Sequence, residues 1–264
     1  MVTSSSWRIF WQFLKRDIYI HAKRLSTYLI NFVLLYPMVY IICYGYIQAR
    51  SYFGVDQPTQ STIFFCGTIL LLIMSLTFEL TIGLLFDMEN ERTIDYRMIL
   101  LDPKLVLLEQ IVFTSGLTFL LMAPFFPVAK LFLGSALETT NASWPLIGLF
   151  LLLSCICFSA YHVFIACALN NSKQIVHLWM RGNWPMISMG GFWVPWYTMY
   201  HYSPVLGKLL LVNPVIYATE GIKHSFVPSG EFIPVGYCIG ALILFSCIFI
   251  VAAWHIFKKK VDHI

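Results

Sequence analysis

Six long apolar runs divide the chain, and shorter polar stretches separate them. The runs are Leu25–Ile47, Ser61–Phe86, Leu105–Leu133, Trp144–Leu169, Ile175–Trp196 and Ile233–Phe257. Each has about the twenty residues that a helix needs to cross a bilayer. The runs are continuously apolar and do not alternate with a period of two, so they predict helices instead of barrel strands. The pattern predicts an all-α membrane protein in which residues 25–264 form six transmembrane helices.

Composition excludes a water-soluble fold. Hydrophobic residues make up 59% of the chain and charged residues only 11%, whereas soluble domains are about a quarter charged. All seven cysteines fall inside the predicted spans, and their spacing fits neither a disulfide framework nor a metal site. We therefore expect small packing cysteines, no metal and no cofactor bound by this chain, and no nucleic-acid partner.

The basic residues are divided unequally between the two faces of the predicted bundle. Thirteen of the seventeen Lys and Arg residues precede span one, lie between spans two and three, lie near the start of span five, or follow span six. Only Arg50, Lys130, Lys208 and Lys223 remain for the other face. Because loops rich in Lys and Arg stay in the cytoplasm, both termini and the segment Asp87–Lys104 are predicted to be cytoplasmic.

Residues 1–24 form a separate segment before the first span. Apolar residues recur there at helical spacing after a cap among Ser4–Ser6, namely Trp7, Phe10, Trp11, Leu14 and Ile18. Lys15 and Arg16 lie off this stripe. The pattern predicts an amphipathic helix in the cytoplasmic interface of the membrane. An ordinary solvated arm is the alternative.

The segment Asp87–Lys104 is a charged island between two apolar runs. It predicts a short helix over Thr93–Leu101, with Thr93 as its cap and Pro103 ending it. Ile94, Met98 and Leu101 share one face of this helix, while Asp95, Arg97 and Asp102 are expected to point elsewhere. Such a helix fits a groove on a soluble partner. A solvated loop explains the local pattern equally well, so both interpretations stay open here.

Span one carries a ladder of aromatic residues at four-residue spacing: Tyr28, Phe32, Tyr36, Tyr40 and Tyr44. Tyrosine hydroxyls deep in hydrocarbon are costly unless they are paired. The ladder therefore predicts either helix packing with hydrogen bonds between helices, or a path for cargo that stacks on aromatic rings, as sugars do. The sequence alone leaves these two interpretations nearly even.

Among the ionisable residues within the apolar runs, Glu79, His162 and Arg181 are the most informative. Such residues are rare in spans and usually face a cavity or a partner. We expect His162, next to Tyr161, to be neutral and hydrogen-bonded instead of a ligand or a base. No acid–base pair, nucleophile elbow or metal cluster is evident, so the chain is not expected to be an enzyme.

Three motifs, in order along the chain, resemble those of type-2 ATP-binding-cassette exporter permeases. Glu91-Arg92-Thr93-Ile94-Asp95-Tyr96, followed by Leu100-Leu101-Asp102-Pro103, is similar to the family's loop between spans two and three, with Arg92 where glycine is frequent. Gly191-Phe192-Trp193-Val194-Pro195 resembles the segment that ends span five. Asn213-Pro214, continuing to Glu220 and Lys223, is similar to the signature before the last span, with Lys223 replacing arginine. The resemblance covers essentially the whole chain.

The resemblance implies a permease subunit of the bacterial inner membrane that works as a dimer, usually of identical chains. Two copies of a cytoplasmic ATPase subunit would hold ATP and Mg²⁺ and push on the loop helix. The residues implied for this coupling are Glu91, Arg92, Thr93, Ile94, Tyr96, Met98 and Leu101. The sequence has no G-x-x-x-x-G-K-[ST] phosphate loop of its own, so hydrolysis would belong to the partner.

The resemblance also implies a re-entrant helical pair within the external segment, residues 197–232. The apolar stretches Val205–Val212 and Val215–Ile222 would form the two helices, with Asn213 and Pro214 in the turn. An external gate would then comprise Asn213, Pro214, Tyr217 and Glu220. For Glu220, a salt bridge with Lys223 is favoured over a role at the gate.

The cargo implied by this resemblance is amphipathic or lipid-linked, and a glycan is favoured over a hydrophobic drug because of the aromatic ladder. Two hypotheses come from other classes of protein. One is an intramembrane lipid-modifying enzyme that uses His162 or Glu79. The other is a structural membrane protein, which would leave the charged loop without a partner.

Overall fold

The computed structural model describes residues 4–40, 42–43, 58–89, 91–134, 137, 139–169, 171, 174–228 and 230–261. Within these residues every regular element is a helix. In chain order they are α1 (Ser4–Ala22), α2 (Leu25–Tyr28), a π-helix (Leu29–Leu35), α3 (Tyr36–Tyr40), α4 (Pro58–Glu89), α5 (Glu91–Leu100), α6 (Pro103–Met122), α7 (Phe125–Leu133), α8 (Trp144–Ala168), α9 (Ile175–Leu178), a second π-helix (Trp179–Asn183), α10 (Trp184–Ser188), α11 (Trp196–Tyr202), α12 (Pro204–Leu210), α13 (Pro214–Phe226) and α14 (Val235–Val261).

Four helical stretches are long and apolar enough to cross a membrane: Ser61–Glu89, Pro103–Leu133, Trp144–Ala168 and Val235–Lys260. They match predicted spans two, three, four and six within a few residues. A bent pair, α12 with α13, passes the same test if it is counted as one span. The described residues thus contain four or five candidate spans, and the all-helical membrane architecture is confirmed. The predicted count of six is not reached by this criterion.

Predicted span five does not extend to Trp196. Its helices end at Ser188, and Trp196 begins a separate helix. Gly191 lies between them with φ of 82°, a conformation that glycine adopts without strain. Gly190 packs so closely on α13 that an added Cβ would lie 2.4 Å from Val215 Cγ1. The chain therefore changes direction at Gly190 and Gly191, where the predicted span ends. Trp196 belongs to the next helix, α11.

Helix α8 lies at the centre of the bundle, in contact with α4, α6, α13 and α14. Close approach to α13 is possible because Gly221 lacks a side chain: a Cβ there would lie 2.3 Å from Phe150 Cε1. A group of phenylalanine rings also packs here. The ring centroid of Phe65 lies 5.3 Å from that of Phe125 and 5.7 Å from that of Phe226. Aromatic rings thus fill the layer where α4, α7 and α13 meet.

The ends of several helices gather at one end of the molecule. Lys104, near the start of α6, lies 5.1 Å from the ring of Trp254 in α14. Lys260, near the end of α14, donates to Leu169 O just after α8, at 2.6 Å. At the opposite end, Ser143 N before α8 donates to Ser225 O in α13, at 2.8 Å. We call the first of these ends, which carries Lys104 and Lys260, the basic end.

Candidate functional site

The loop helix at the basic end is observed as Glu91–Leu100, close to the predicted Thr93–Leu101. Thr93 lies inside the helix and is not its cap, so that detail of the prediction was wrong. Asp102 has an extended backbone with ψ of 134°, and its side chain accepts from Lys104 N at 2.9 Å. Pro103 imposes this conformation on the residue before it, which separates α5 from α6 as predicted.

The predicted contact face of the loop helix is turned inward. Ile94 and Leu101 are buried within the chain, and Met98 is partly buried against the same core. Tyr96, Ile99 and Leu100 are exposed instead, and Ile99 keeps 80% of its surface. We call these three residues the outer face of α5. The side chains of Glu91, Arg92, Thr93 and Asp95 lie outside the described part of the structure.

Arg97 is the residue that sequence reasoning misplaced. It was expected to point away from the buried face, but only 6% of its surface is exposed. Its Nη2 lies 3.3 Å from Asp17 Oδ2 and 3.2 Å from Asp87 Oδ2. Its Nη1 lies 3.8 Å from Glu109 Oε2. The acids come from three separate segments of sequence, so no local pattern could reveal the cluster.

This ion cluster joins four helices through one guanidinium. Asp17 belongs to α1, Asp87 to α4, Arg97 to α5 and Glu109 to α6. Arg16 adds a second positive charge, with Nη2 2.7 Å from Asp17 Oδ1. The cluster borders a cleft of about 340 Å³ that also reaches His21 and Phe113. The loop helix is therefore fastened to the interfacial segment and to spans two and three.

The apolar stripe predicted for helix α1 divides between two surroundings. Phe10 and Leu14 are buried against the bundle, whereas Trp7, Trp11 and Ile18 are exposed. Phe13 and Asp17 complete the buried face, and Asp17 forms its ion pair with Arg97 there. The place of α1 in a membrane interface stays a prediction.

His21 connects α1 to the first apolar run. Its Nδ1 lies 2.9 Å from the hydroxyl of Tyr28, and its ring centroid lies 4.9 Å from that of Phe113. Burial lowers the pKa of His21 below its usual value, while Asp17 opposes this shift and Arg24 adds to it. The neutral imidazole is therefore favoured at this junction.

The aromatic ladder of span one divides into parts with different surroundings. Tyr28 is buried and hydrogen-bonded to His21, so it anchors the helix. Phe32 is buried and Tyr36 is about half exposed; their ring centroids lie 5.6 Å apart. The side chain of Tyr40 and all of Tyr44 lie outside the described residues. Tyr28 thus fits the packing interpretation, and the cargo path stays a prediction for the other members.

Phe32 and Tyr36 line a cleft of about 540 Å³. Phe78 and Glu79 of α4 line it as well, as do Trp179 and Trp184 from the predicted fifth span. Phe32 belongs to the first π-helix and Trp179 to the second. π-helical turns are rare and are frequent at functional sites. Sequence reasoning missed Phe78, Trp179 and Trp184, because nothing local indicates that spans two and five meet span one here.

Helices α12 and α13 meet at an angle of 98°. They match the two predicted short helices, with the turn at Asn213 as predicted. The Asn213 side chain accepts from Val215 N at 3.0 Å and donates to Met186 O at 2.7 Å. Pro214 occupies the first turn of α13, where its missing N–H costs nothing. The Tyr217 hydroxyl donates to Leu211 O at 2.8 Å, which closes the angle from inside.

Glu220 and Lys223 form the predicted salt bridge, at 3.4 Å, and both are completely buried. Glu220 Oε1 also accepts from Trp196 N at 3.0 Å. Lys223 Nζ donates to Gly191 O. Thr219 Oγ1 lies 2.7 Å from Gly190 O and donates to it. The two motifs singled out around Gly191 and Asn213 thus form one polar junction, and a role of Glu220 at a gate stays a prediction.

His162 lies at the centre of a second buried network, between spans two, four and five. Thr77 Oγ1 donates to Ile73 O at 2.7 Å, so it accepts from His162 Nδ1, 2.9 Å away. Asn183 Nδ2 donates to His162 Nε2 at 3.0 Å, and Asn183 Oδ1 accepts from the Tyr161 hydroxyl at 3.2 Å. Both ring nitrogens are engaged, which fits the neutral, hydrogen-bonded histidine that was predicted.

The arrangement thus offers three features at separate places: a clamped loop helix with an apolar outer face, an aromatic cleft with one carboxylate, and a buried polar junction under the bent pair. Among the described residues, no group of three or more His, Cys, Asp and Glu could hold a metal ion. A scan of protein-family models found no match to the chain, and neither did a search of curated proteins.

Proposed function

We propose that the chain is the transmembrane permease subunit of an ABC exporter. Two copies form the path, and a separate cytoplasmic subunit, also in two copies, binds ATP with Mg²⁺ and hydrolyses it. Both termini and the basic end face the cytoplasm of a bacterial inner membrane. The observation that carries this proposal is the attachment of the loop helix α5 to three other helices through Arg97.

The ion cluster around Arg97 suits α5 for receiving a mechanical force from a partner. A loop that merely connected two spans would be free to move without moving them. Arg97 instead ties α5 to α1, to the end of α4 and to the start of α6, in a place that is largely shielded from water. Ion pairs in such surroundings are screened much less than surface pairs. A push on α5 is therefore transmitted to spans two and three and to the interfacial helix together.

The outer face of α5 supports a protein partner. Tyr96, Ile99 and Leu100 are exposed at the basic end. A short helix with apolar anchors docks into a groove by burying those anchors. We therefore place Tyr96, Ile99 and Leu100 in the docking contact, and Glu91, Arg92 and Thr93 stay in the predicted coupling set. Ile94 and Leu101 support the helix from inside, with Met98 partly buried beside them.

The cargo is amphipathic or lipid-linked, and we favour a glycan over a hydrophobic drug. The cleft beside span one has the volume of a small-molecule site, and half of its described lining residues are aromatic. Phe32, Tyr36, Trp179 and Trp184 offer surfaces on which sugars stack. The junction around Glu220 and Lys223 serves as the fixed base of the bent pair, which re-enters the outer leaflet and closes the external mouth.

The proposal is tested by purifying the tagged chain gently from its native membrane. We expect a nucleotide-hydrolysing subunit to be recovered with it in equal amounts. The substitution Tyr96→Asp places a charge in the docking contact and is expected to reduce this recovery at least tenfold. Tyr202→Asp is the matched control, because Tyr202 is also an exposed tyrosine but lies in the segment before α12.

A second variant tests coupling separately from assembly. Charge reversal at both Glu91→Arg and Arg92→Glu is expected to leave membrane insertion intact, while ATP hydrolysis no longer drives transport. Unchanged transport in this double variant would contradict the coupling role of α5. If no nucleotide-hydrolysing subunit accompanies the unmodified chain, the exporter proposal itself fails.

A further inference from the structure

Glu79 is the one carboxylate among the described residues that line the aromatic cleft. It lies ten residues before the end of span two, in an otherwise apolar stretch, and it is exposed to the cleft. Among the described residues it forms no ion pair. Arg24 acts on it electrostatically, but from beyond ion-pair distance. An uncompensated carboxylate within a span usually faces a cavity and marks a ligand path.

Five rings surround the same space: Phe32, Tyr36, Phe78, Trp179 and Trp184. The face of an aromatic ring carries partial negative charge and attracts cations, and tryptophan does so most strongly. Rings of this kind, together with a carboxylate, form the usual recognition site for organic cations. A neutral sugar can stack on the rings and donate hydroxyls to Glu79, but it leaves the negative charge of the cleft uncompensated.

We propose that this cleft binds the positively charged group of an amphipathic ligand, with Glu79 as its counter-charge and the rings around it. That group is either a lipophilic organic cation or the protonated amine of an amino sugar on a glycan. The inference deepens the proposed function by naming the chemical group that the cargo path selects. Binding can be measured without the ATPase subunit, so it is tested independently of transport.

The direct experiment measures binding to the purified chain in lipid nanodiscs. Tetraphenylphosphonium serves as a lipophilic cation, and maltotriose as a neutral sugar. Quenching of tryptophan fluorescence reports on occupancy, because Trp179 and Trp184 line the cleft. We expect saturable quenching by the cation at concentrations where maltotriose has no effect. Quenching by maltotriose with none by the cation would overturn the proposal and leave the exporter function standing.

Two variants with opposite expected effects on cation affinity test the role of Glu79. Glu79→Gln keeps the shape of the side chain and removes its charge, and it is expected to weaken cation binding about tenfold. Arg24→Gln removes a competing positive charge, and it is expected to strengthen cation binding severalfold. Glu231→Gln is the matched control, since Glu231 is an exposed carboxylate before α14 and outside the cleft. Equal affinities in the Glu79→Gln and Glu231→Gln proteins would overturn the proposal.

The two sources of the positive charge are separated by competition. A glucosamine trisaccharide that displaces the bound cation, when its N-acetylated counterpart does not, supports an amino glycan. If neither displaces it, the lipophilic cation is supported. Displacement by both trisaccharides alike would show that charge is not selected and would overturn the inference. Loss of cargo export without loss of binding would count against the transport role and not against the site.

Discussion

At the scale of single residues, Arg97 is the most constrained group at the basic end. It faces Asp17, Asp87 and Glu109, and Arg16 supplies the only other basic side chain in the described cluster. Removal of one partner from a buried ion cluster is far more costly than the net contribution of the cluster, because the other charges stay behind without compensation. The arrangement therefore tolerates little change at Arg97.

We predict that Arg97→Met lowers the free energy of unfolding by about 3 kcal/mol. Arg97→Lys keeps the charge, but its ammonium group cannot reach three carboxylates as a planar guanidinium does. Its free energy of unfolding should therefore lie between those of the unmodified chain and Arg97→Met. Thermal unfolding in detergent measures both. Arg181→Met is the matched control, because Arg181 is exposed.

A coupling role adds a second expectation for the same residue. Arg97→Lys should hydrolyse ATP in the assembled complex while exporting less cargo per ATP. A purely structural role would lower both rates together. If Arg97→Met melted at the same temperature as the Arg181→Met control, the cluster would contribute nothing to stability.

Single residues also differ in whether their contacts could be predicted from the local sequence. His162 was predicted to be neutral and hydrogen-bonded because a charge within an apolar run is costly, and Glu220 was predicted to pair with Lys223 because they are three residues apart. Both predictions used local information. Arg97 meets acids that are 80, 10 and 12 residues away in the chain, and no local pattern carries that pairing.

At the scale of elements, the bent pair depends on one left-handed residue. Gly191 has φ of 82°, and its carbonyl accepts a hydrogen bond from Lys223. The surrounding residues leave no room for a side chain at this position. A Cβ at this position would lie 2.9 Å from Thr219 Oγ1. The end of the fifth predicted span and the buried helix α13 are therefore held together by the hydrogen bonds that Lys223 and Thr219 donate to the carbonyls of Gly191 and Gly190.

We predict that Gly191→Ala lowers the free energy of unfolding by about 1–3 kcal/mol, because alanine is strained at this φ. Gly240→Ala is the matched control in the second turn of α14, where nothing lies within 4 Å of an added Cβ. It should be neutral or slightly stabilising, since alanine favours helix by about 1 kcal/mol over glycine. Thermal unfolding of both variants gives the comparison, and equal melting temperatures would refute the role of Gly191.

The elements differ in how well the sequence predicted them. Spans two, three, four and six were placed within a few residues because long apolar runs have no other stable solution in a bilayer. The fifth was extended too far, since its end depends on the packing of Gly190 against Val215, a contact across 25 residues. The π-helical turns were not predicted at all, because they respond to the packing of neighbouring spans and have no sequence signature.

At the scale of the whole molecule, α1 and the carboxyl end of α14 lie at the same end of the bundle. Asp17 of α1 meets Arg97 at the basic end, and Lys260 of α14 meets the end of α8 there. The chain therefore crosses an even number of times between them. Between α8 and α14 it must make one net crossing, either through α9 to α10 or through the bent pair.

We predict that the first of these routes is correct, so that Tyr202 lies outside the cell. Tyr202→Cys should react with a membrane-impermeant maleimide in intact cells, because this side chain is 87% exposed. Tyr96→Cys, also exposed, should react only after the membrane is permeabilised. The unmodified chain measures the background of its own cysteines. Labelling of both positions from the same side would refute a crossing through α9 to α10 and would place the bent pair across the membrane.

The two π-helical segments beside the cleft have a mechanical consequence. A π turn contains one residue more than an α turn, and its hydrogen bonds can return to the α pattern by passing the surplus residue along the helix. The residues between the old and new positions then rotate by about 100°, the angle of one residue in an α-helix. A surplus residue that passes Phe32 or Trp179 would therefore turn that ring relative to the cleft while the helix stays continuous.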